Sequence, residues 1–221
     1  LPIWPWDLAS KVASVDRLSE GRVTLGVGLG ALHGNWLAFE ADEGRAVRAR
    51  KLDEVLDIYA GLMGGQPFSY TGEHFSASPV TELVPPPPVQ TPHPPVWCVG
   101  LMLPGRSRQR SLERAARWQG VFPAVAGGSL ENPGSHLTPV SLRELVGHIT
   151  TLRAADGQSM EGYDVVVEGD SHGEFGTVHP PVEQWADAGA TWWVESWWDL
   201  PDSPEGRREL RRRLELGPPR T

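Results

Sequence analysis

Five times along this chain a short apolar stretch is followed by a helix pattern, and that recurrence limits the fold more than any other feature. The strand patterns are Arg22–Gly28, Pro95–Gly100, Gly120–Pro123, Asp164–Glu168 and Thr191–Trp197. The helix patterns that follow them are Arg45–Met63, Arg108–Arg117, Ser141–Leu152, Pro181–Ala188 and a last one capped by Ser203 with Pro204 at its first position. Strands that alternate with helices are joined by crossovers, so they lie parallel in one sheet with helices over its faces. Pro95–Gly100 is apolar throughout, as in a parallel strand covered on both sides. A further helix from Asp7 precedes the first unit, with Leu8, Val12, Val15 and Leu18 on one face and Gly21 at its end.

The helix faces are explicit. Leu52, Val55, Leu56, Tyr59, Leu62 and Met63 form the stripe of the longest helix, which Gly64-Gly65 stops. In the Ser141 helix the stripe is Leu142, Leu145, Val146, Ile149 and Leu152, and Ser141 with Glu144 three positions on reads as a capping box. Leu112, Ala115 and Ala116 point inward from the Arg108 helix, and Leu210 and Leu214 from the last one. Residues 66–90 interrupt the series. Phe68, Tyr70 and Phe75 stand at strand spacing around Thr71-Gly72, which predicts a small hairpin, and Pro85–Pro88 reads as a stiff connector.

The most suggestive local stretch is Arg22–Gly30, RVTLGVGLG. Val23, Leu25 and Val27 alternate with Thr24, Gly26 and Gly28, so one face of the strand is stripped of side chains and a ligand can approach its backbone. By itself the pattern is equally that of a tight strand-to-loop turn. After the strand, residues 31–44 form a long loop carrying His33, Asn35, Trp36 and Phe39, and long loops in α/β proteins are often functional.

Composition narrows the function. The net charge of −8 over 221 residues argues against nucleic acid as a partner. The single cysteine, Cys98, allows neither a disulfide framework nor a cysteine-rich metal site, and as part of an apolar strand it reads as an inert buried thiol. No apolar run approaches the roughly 20 residues of a membrane span. A cytoplasmic protein is expected. The arginines at 207, 208 and 211–213 read as a solvated helix face. The 10 tryptophans imply large aromatic surfaces in the core or around a ligand. No metal-spaced His/Asp cluster or nucleophile elbow supports a hydrolase.

Several stretches together resemble the bacterial luciferase-like flavin-dependent monooxygenase family: VASVDRLSEGRVTLGVGLG, RARKLDEVLDIYAGLMGGQPFSYTGEHF, PPVWCVG, RAARWQGVFP and DAGATWWVES. They run through almost the whole chain in family order. The resemblance implies a (β/α)8 barrel, an α/β TIM-barrel type with its site at the C-terminal ends of the strands. It implies FMN as cofactor, or deazaflavin coenzyme F-420 in a sister branch, with a small-molecule substrate. By the same resemblance the helix from Asp7 corresponds to the third helix of the barrel and Arg22–Gly28 to the fourth strand. The first three strands are then absent, and the chain, which starts at Leu1 without Met, is expected to be a fragment, one incomplete barrel domain over 1–221 with an excursion at about 66–92.

In the family the absent strands lie under the flavin ring, so no catalytic residue is assigned and this chain alone is expected not to turn over substrate. Its unpaired sheet edges predict association, a homodimer being one form of it. The half that remains corresponds to the grip on the cofactor's phosphate tail. Gly28, Leu29 and Gly30 stand at the end of the first strand. Gly100, Leu101, Pro104, Arg106 and Ser107 stand in the loop after the second, with Arg106 and Ser107 as donors. Luciferase has an arginine where Leu29 stands, and the deazaflavin branch a glutamate where Ala31 stands. The second difference counts against F-420. Trp193 and Trp197 alternate with Glu195 on the last strand and serve either the flavin bed or the core. A non-catalytic barrel relative that binds no flavin is the alternative function.

Overall fold

The computed structural model describes residues 4–30, 41–65, 67–81, 87–126, 137–171, 180–196 and 200–218. The chain divides into two compact units, Leu1–Val99 and Gly100–Thr221.

The first unit opens with helix α1, Pro5–Leu18, followed by strand β1, Leu25–Val27, and helix α2, Arg45–Met63. Helix α2 has the bounds its periodicity predicts, and Leu56, Ile58, Tyr59, Leu62 and Met63 are buried along it. Helix α1 departs from expectation. Val15 and Leu18 are exposed, Leu18 at 85%, and the buried face is Pro5, Ala9, Val12, Ala13 and Asp16. The reason is packing against α2. Small residues let two helix axes approach, and Asp16 makes contacts that no leucine at its place could make. Its carboxylate accepts hydrogen bonds from Val89 N (2.7 Å), Gln90 N (3.0 Å) and Gln90 Nε2 (2.8 Å). The same Gln90 amide also donates to Val23 O at 2.8 Å, which fixes the approach to β1. The expected closing bond of α1 is present, from Gly21 N to Asp16 O at 2.9 Å.

A hairpin follows, β2 (Phe68–Thr71) antiparallel to β3 (Ser76–Val80). The buried carboxylate of Glu54 on α2 holds its turn, accepting from the N–H groups of Glu73 (2.9 Å), His74 (3.0 Å) and Phe75 (2.9 Å). A side chain at Gly72 would collide with it, since a Cβ there would lie 2.3 Å from Glu54 Oε2. Strand β4, Val96–Met102, then begins, and pairs parallel with β1 from Leu25↔Val96 to Val27↔Cys98. Cys98 is fully buried.

The second unit holds the end of β4, then α3 (Arg110–Ala116), β5 (Gly120–Val125), α4 (Pro139–Ala155), β6 (Asp164–Gly169), α5 (Val182–Asp187), β7 (Trp192–Glu195) and α6 (Pro204–Leu216). Its core joins Val121, Val165 and Val167 of the sheet to Leu112, Leu142, Leu145 and Ile149 of the helices. The short α3 is anchored at its C-terminal end. Tyr163 Oη donates to Ala115 O (3.0 Å), and Arg153 Nη1 to Ala116 O (2.8 Å) and Trp118 O (3.0 Å). These bonds satisfy carbonyls that a helix end otherwise leaves without partners. Arg153 also lies 4.5 Å from the Tyr163 ring centre, a cation–π contact.

Two local expectations in this unit are overturned. The N-cap of α4 is Thr138, and Ser141 is its N3 partner, whose hydroxyl accepts from Thr138 N at 2.9 Å. The box runs three residues earlier than Ser141–Glu144 because Pro139 fits the first helical turn, where no N–H is needed. In α6, Leu214 is 73% exposed and Leu210 also faces solvent, while Gly206 and Arg213 are the buried positions. Gly206 packs on the carbonyl of Pro201, and seven residues on Arg213 meets a carboxylate that fixes the helix's rotation. The Ser203 cap is as expected, accepting from Gly206 N at 3.2 Å.

The sheet order is β1-β4-β5-β6-β7, with β2 and β3 apart in their own two-stranded sheet. The pairs β1–β4, β5–β6 and β6–β7 are parallel. Parallel strands in chain order, each followed by a helix, are the arrangement of a TIM barrel. Five of its strands are present, as the five strand patterns predict.

Candidate phosphate-binding loop

The C-terminal end of β4 leads into a loop whose shape follows from four residues. Leu103-Pro104-Gly105-Arg106 makes a turn closed by Arg106 N donating to Leu103 O at 3.1 Å. Pro104 supplies the fixed φ of the second position and Gly105, at φ +74°, the left-handed third, the pairing a type II turn requires. A buried Gln109, only 6% exposed, holds the turn from below. Its Oε1 accepts from Leu103 N (2.9 Å), and its Nε2 donates to Leu103 O (2.8 Å) and Arg106 O (2.8 Å). Ser111 fastens the strand end, with its hydroxyl accepting from Leu101 N (3.1 Å) and donating to Leu101 O (2.8 Å).

The sequence candidates here fall into two groups. Gly100 and Leu101 are buried, and the space a Cβ would take at Gly100 is occupied by Val121 Cγ2 at 2.6 Å and Leu112 Cδ2 at 2.8 Å. Core packing by itself accounts for that glycine. Pro104, Gly105, Arg106, Ser107 and Arg108 are exposed. Arg108 already faces a carboxylate, its Nε 3.3 Å from Glu113 Oε1. Arg106 has no ion pair among the described residues, and neither do the N–H groups of Gly105, Ser107 and Arg108 have acceptors there. The outer surface of the turn therefore offers donors and one cation, a composition suited to a phosphate.

In the first unit, Gly28 follows β1 beside Val99, whose Cγ2 would lie 3.2 Å from a Cβ at Gly28. Leu29 is half-buried, and Gly30 has φ +76° with open space where a side chain would go. Ala31, His33, Asn35, Trp36, Phe39 and Trp197 lie outside the described residues.

On β7, Trp193 and Glu195 share the more buried face, while Trp192 and Val194 are exposed. Trp193 is engaged with protein. Its Nε1 donates to Glu195 Oε2 at 2.8 Å, and its ring lies 6.4 Å from that of Trp185. Glu195 also accepts from Ser171 N (2.9 Å) and Ser171 Oγ (3.1 Å), and faces Arg213 Nη2 at 3.4 Å. Burial alone would raise the Glu195 carboxyl, but the bonds from Trp193, Ser171 and Arg213 outweigh it and hold it below the usual range. Asp16 is likewise held low, its burial outweighed by the bonds from Gln90 and Val89. Burial, and then the Asp16 charge, push Tyr59 upward.

Gln109, Glu54, Asp16 and Arg213 are structural anchors that sequence reading passes over. None stands in a motif, and Glu54, Asp16 and Arg213 do their work through partners distant in the chain. Only Gln109 carried a usable signal, as a polar residue beside a Pro-Gly turn just ahead of a helix. Among the described residues no group of three His, Cys, Asp or Glu is placed to hold a metal ion. No helix there is long and apolar enough to cross a membrane.

The family model described as luciferase-like monooxygenase matches residues 1–170. Solved structures share the fold. The monooxygenase RslO1 from Streptomyces bottropensis is 23% identical with a TM-score of 0.55, over 76% of this chain and 46% of that one. The oxygenating constituent of 3,6-diketocamphane monooxygenase from the CAM plasmid of Pseudomonas putida, solved in complex with FMN, is 17% identical with a TM-score of 0.54, over 75% and 44%. The coenzyme F-420-dependent tetrahydromethanopterin reductase from Methanopyrus kandleri is 15% identical with a TM-score of 0.63, over 93% and 76%. The chain thus spans less than half the length of the two monooxygenase chains.

Proposed function

Because the chain belongs to the luciferase-like monooxygenase family, we propose that it is part of a flavin-dependent oxidoreductase that uses FMN and O2 on a small-molecule substrate. The observation that carries the cofactor assignment is the loop after β4, an exposed turn where the N–H groups of Gly105, Ser107 and Arg108 and the Arg106 guanidinium have no acceptors among the described residues. When bound, the flavin ring supplies the redox chemistry, and the protein's part is to bind, orient and exclude water. In this reading Arg106, Ser107 and the turn N–H groups hold the phosphate. Pro104 and Gly105 shape the turn, and Gly100 and Leu101 seat it on the core. The choice of FMN over deazaflavin rests on the alanine at position 31, where the deazaflavin branch has a glutamate.

Flavin fluorescence titration with FMN and riboflavin, which lacks the phosphate, tests the reading. A charged hydrogen bond contributes roughly 1.5–3 kcal/mol. Arg106→Ala should therefore weaken FMN by about one to two decades and leave riboflavin nearly unchanged. Equal affinities of the two flavins for the unmodified chain would show that no phosphate is held here. So would an absence of binding.

A further inference from the structure

We propose that Gln109 is a positioning residue for this loop, and that its side-chain amide fixes which backbone groups the loop presents to a ligand. The inference rests on the phosphate assignment above and adds what selects an anion over other ligands. The Gln109 amide has one acceptor oxygen and two N–H donors. All three functions are used within the loop, on Leu103 N, Leu103 O and Arg106 O. Its orientation is chemically determined, because an N–H can only donate and the two carbonyls can only accept.

The consequence is a division of the loop by polarity. The carbonyls of Leu103 and Arg106 are drawn onto a buried side chain. The N–H groups of Gly105, Ser107 and Arg108 and the guanidinium of Arg106 are left on exposed residues. A turn held in this way repels carbonyl-seeking cations and accepts an anion. Gln109 would itself touch no ligand, since it is buried beneath the turn. The bonds cannot be replaced by packing. An apolar residue at 109 leaves the Arg106 carbonyl and the Leu103 N–H without partners, and the Leu103 carbonyl with only its bond from Arg106 N. The orphaned groups regain partners by turning toward water, into the face the anion would use. The turn is also held by Gly105, whose φ of +74° suits glycine and whose side-chain direction is open. Gly105→Ala therefore strains the turn without a collision and perturbs the same surface by an independent route.

The test is titration of the full chain, and of its Gln109→Met, Gly105→Ala and Arg106→Ala variants, with FMN and with riboflavin, alongside thermal unfolding. Gln109→Met keeps the length and adds no charge, so any effect comes from the lost bonds. The expected result is a loss of FMN affinity of about tenfold or more for Gln109→Met and for Gly105→Ala, with riboflavin changed less than about twofold. A purely structural role would lower both flavins together. If the unmodified chain prefers FMN and Arg106→Ala removes the preference while Gln109→Met retains it, the phosphate assignment stands and this inference falls. If the unmodified chain shows no preference, the phosphate assignment itself falls. Should Gln109→Met fail to fold, Gly105→Ala decides: an FMN-selective loss supports the inference, and retained preference overturns it.

Discussion

Two polar clusters stand at the C-terminal ends of the strands in the second unit, and they differ in what they leave unused. At the end of β6 and β7, Ser171, Trp193, Glu195 and Arg213 satisfy one another. Glu195 receives three hydrogen bonds and faces a cation, and Arg213 reaches Glu195, the Ser171 hydroxyl and the carbonyl of Gly217. After β4, Gln109 satisfies the inner side of a turn and leaves its outer side unmatched. Both clusters contain an arginine near a strand end, the place where barrel sites lie. Among the described residues, only the second has N–H donors on exposed residues left without acceptors. Charge alone therefore does not mark a binding site; the donors that remain after the protein's own acceptors are met do.

The contrast breaks most sharply at Arg213. It is 5% exposed and its Nε has no partner, so it is already a costly group held in place by its pairings. Arg213→Met leaves Glu195 charged and largely buried. Breaking one side of such a pair costs about 3 kcal/mol, at the low end of buried pairs because Glu195 keeps some solvent contact. Urea unfolding should show that loss, with the FMN-to-riboflavin ratio of the folded fraction unchanged. Arg106→Ala should do the reverse, changing stability by less than about 0.5 kcal/mol while removing the FMN preference. A variant at Arg213 that altered the flavin ratio would join the two clusters functionally and erase the distinction.

The glycines sharpen the comparison at smaller amplitude. Gly100→Ala would bring a methyl within 2.6 Å of Val121 Cγ2, and overpacking of this kind costs about 1–3 kcal/mol. Gly30→Ala meets open space and should cost only the strain of a left-handed alanine, about 1 kcal/mol. Thermal melts of the two variants would order them. Equal losses would mean that Gly100 is kept for something other than its contact with α3 and β5.

What the sequence made legible follows from range. Period and turn chemistry are local, so α2 appears with its predicted bounds, the five strands fall in the predicted order, and Ser203 caps α6. The faces of α1 and α6 were misread for one reason. Each buries a charged residue, Asp16 against Val89 and Gln90 or Arg213 against Ser171 and Glu195, partners on other elements of the chain, and hydrophobic periodicity ranks such residues as outward-facing. The candidate residues divide by burial, which the sequence does not show: Pro104, Arg106 and Ser107 lie on an exposed turn, whereas Gly100, grouped with them by its place in the chain, is packed against Val121 and Leu112. Gln109 was missed because its role lies in three hydrogen bonds to loop backbone, of which its place between a Pro-Gly turn and a helix is the one local sign.

The smallest expected effect separates the clusters by pH. Glu195 is held below the ordinary carboxyl range in the folded state by Trp193, Ser171 and Arg213 acting against its burial. The folded protein therefore binds this proton less readily than the unfolded chain does. The stabilisation is complete above the unfolded glutamate value of about 4.3 and is lost as pH falls through the lower folded value. Asp16 contributes an acid limb of the same sign from the first unit. Glu195→Gln keeps the size and can still accept from Ser171, so it removes the titration with limited loss of packing. Stability measured between about pH 6 and pH 3 should then fall less steeply in the variant than in the unmodified chain. FMN preference, which in this reading rests on the loop after β4, should be the same in the folded fraction of the unmodified chain and of Glu195→Gln at any one pH. A parallel pH dependence in the two proteins would show that Glu195 is not the group whose protonation weakens the β6–β7 cluster.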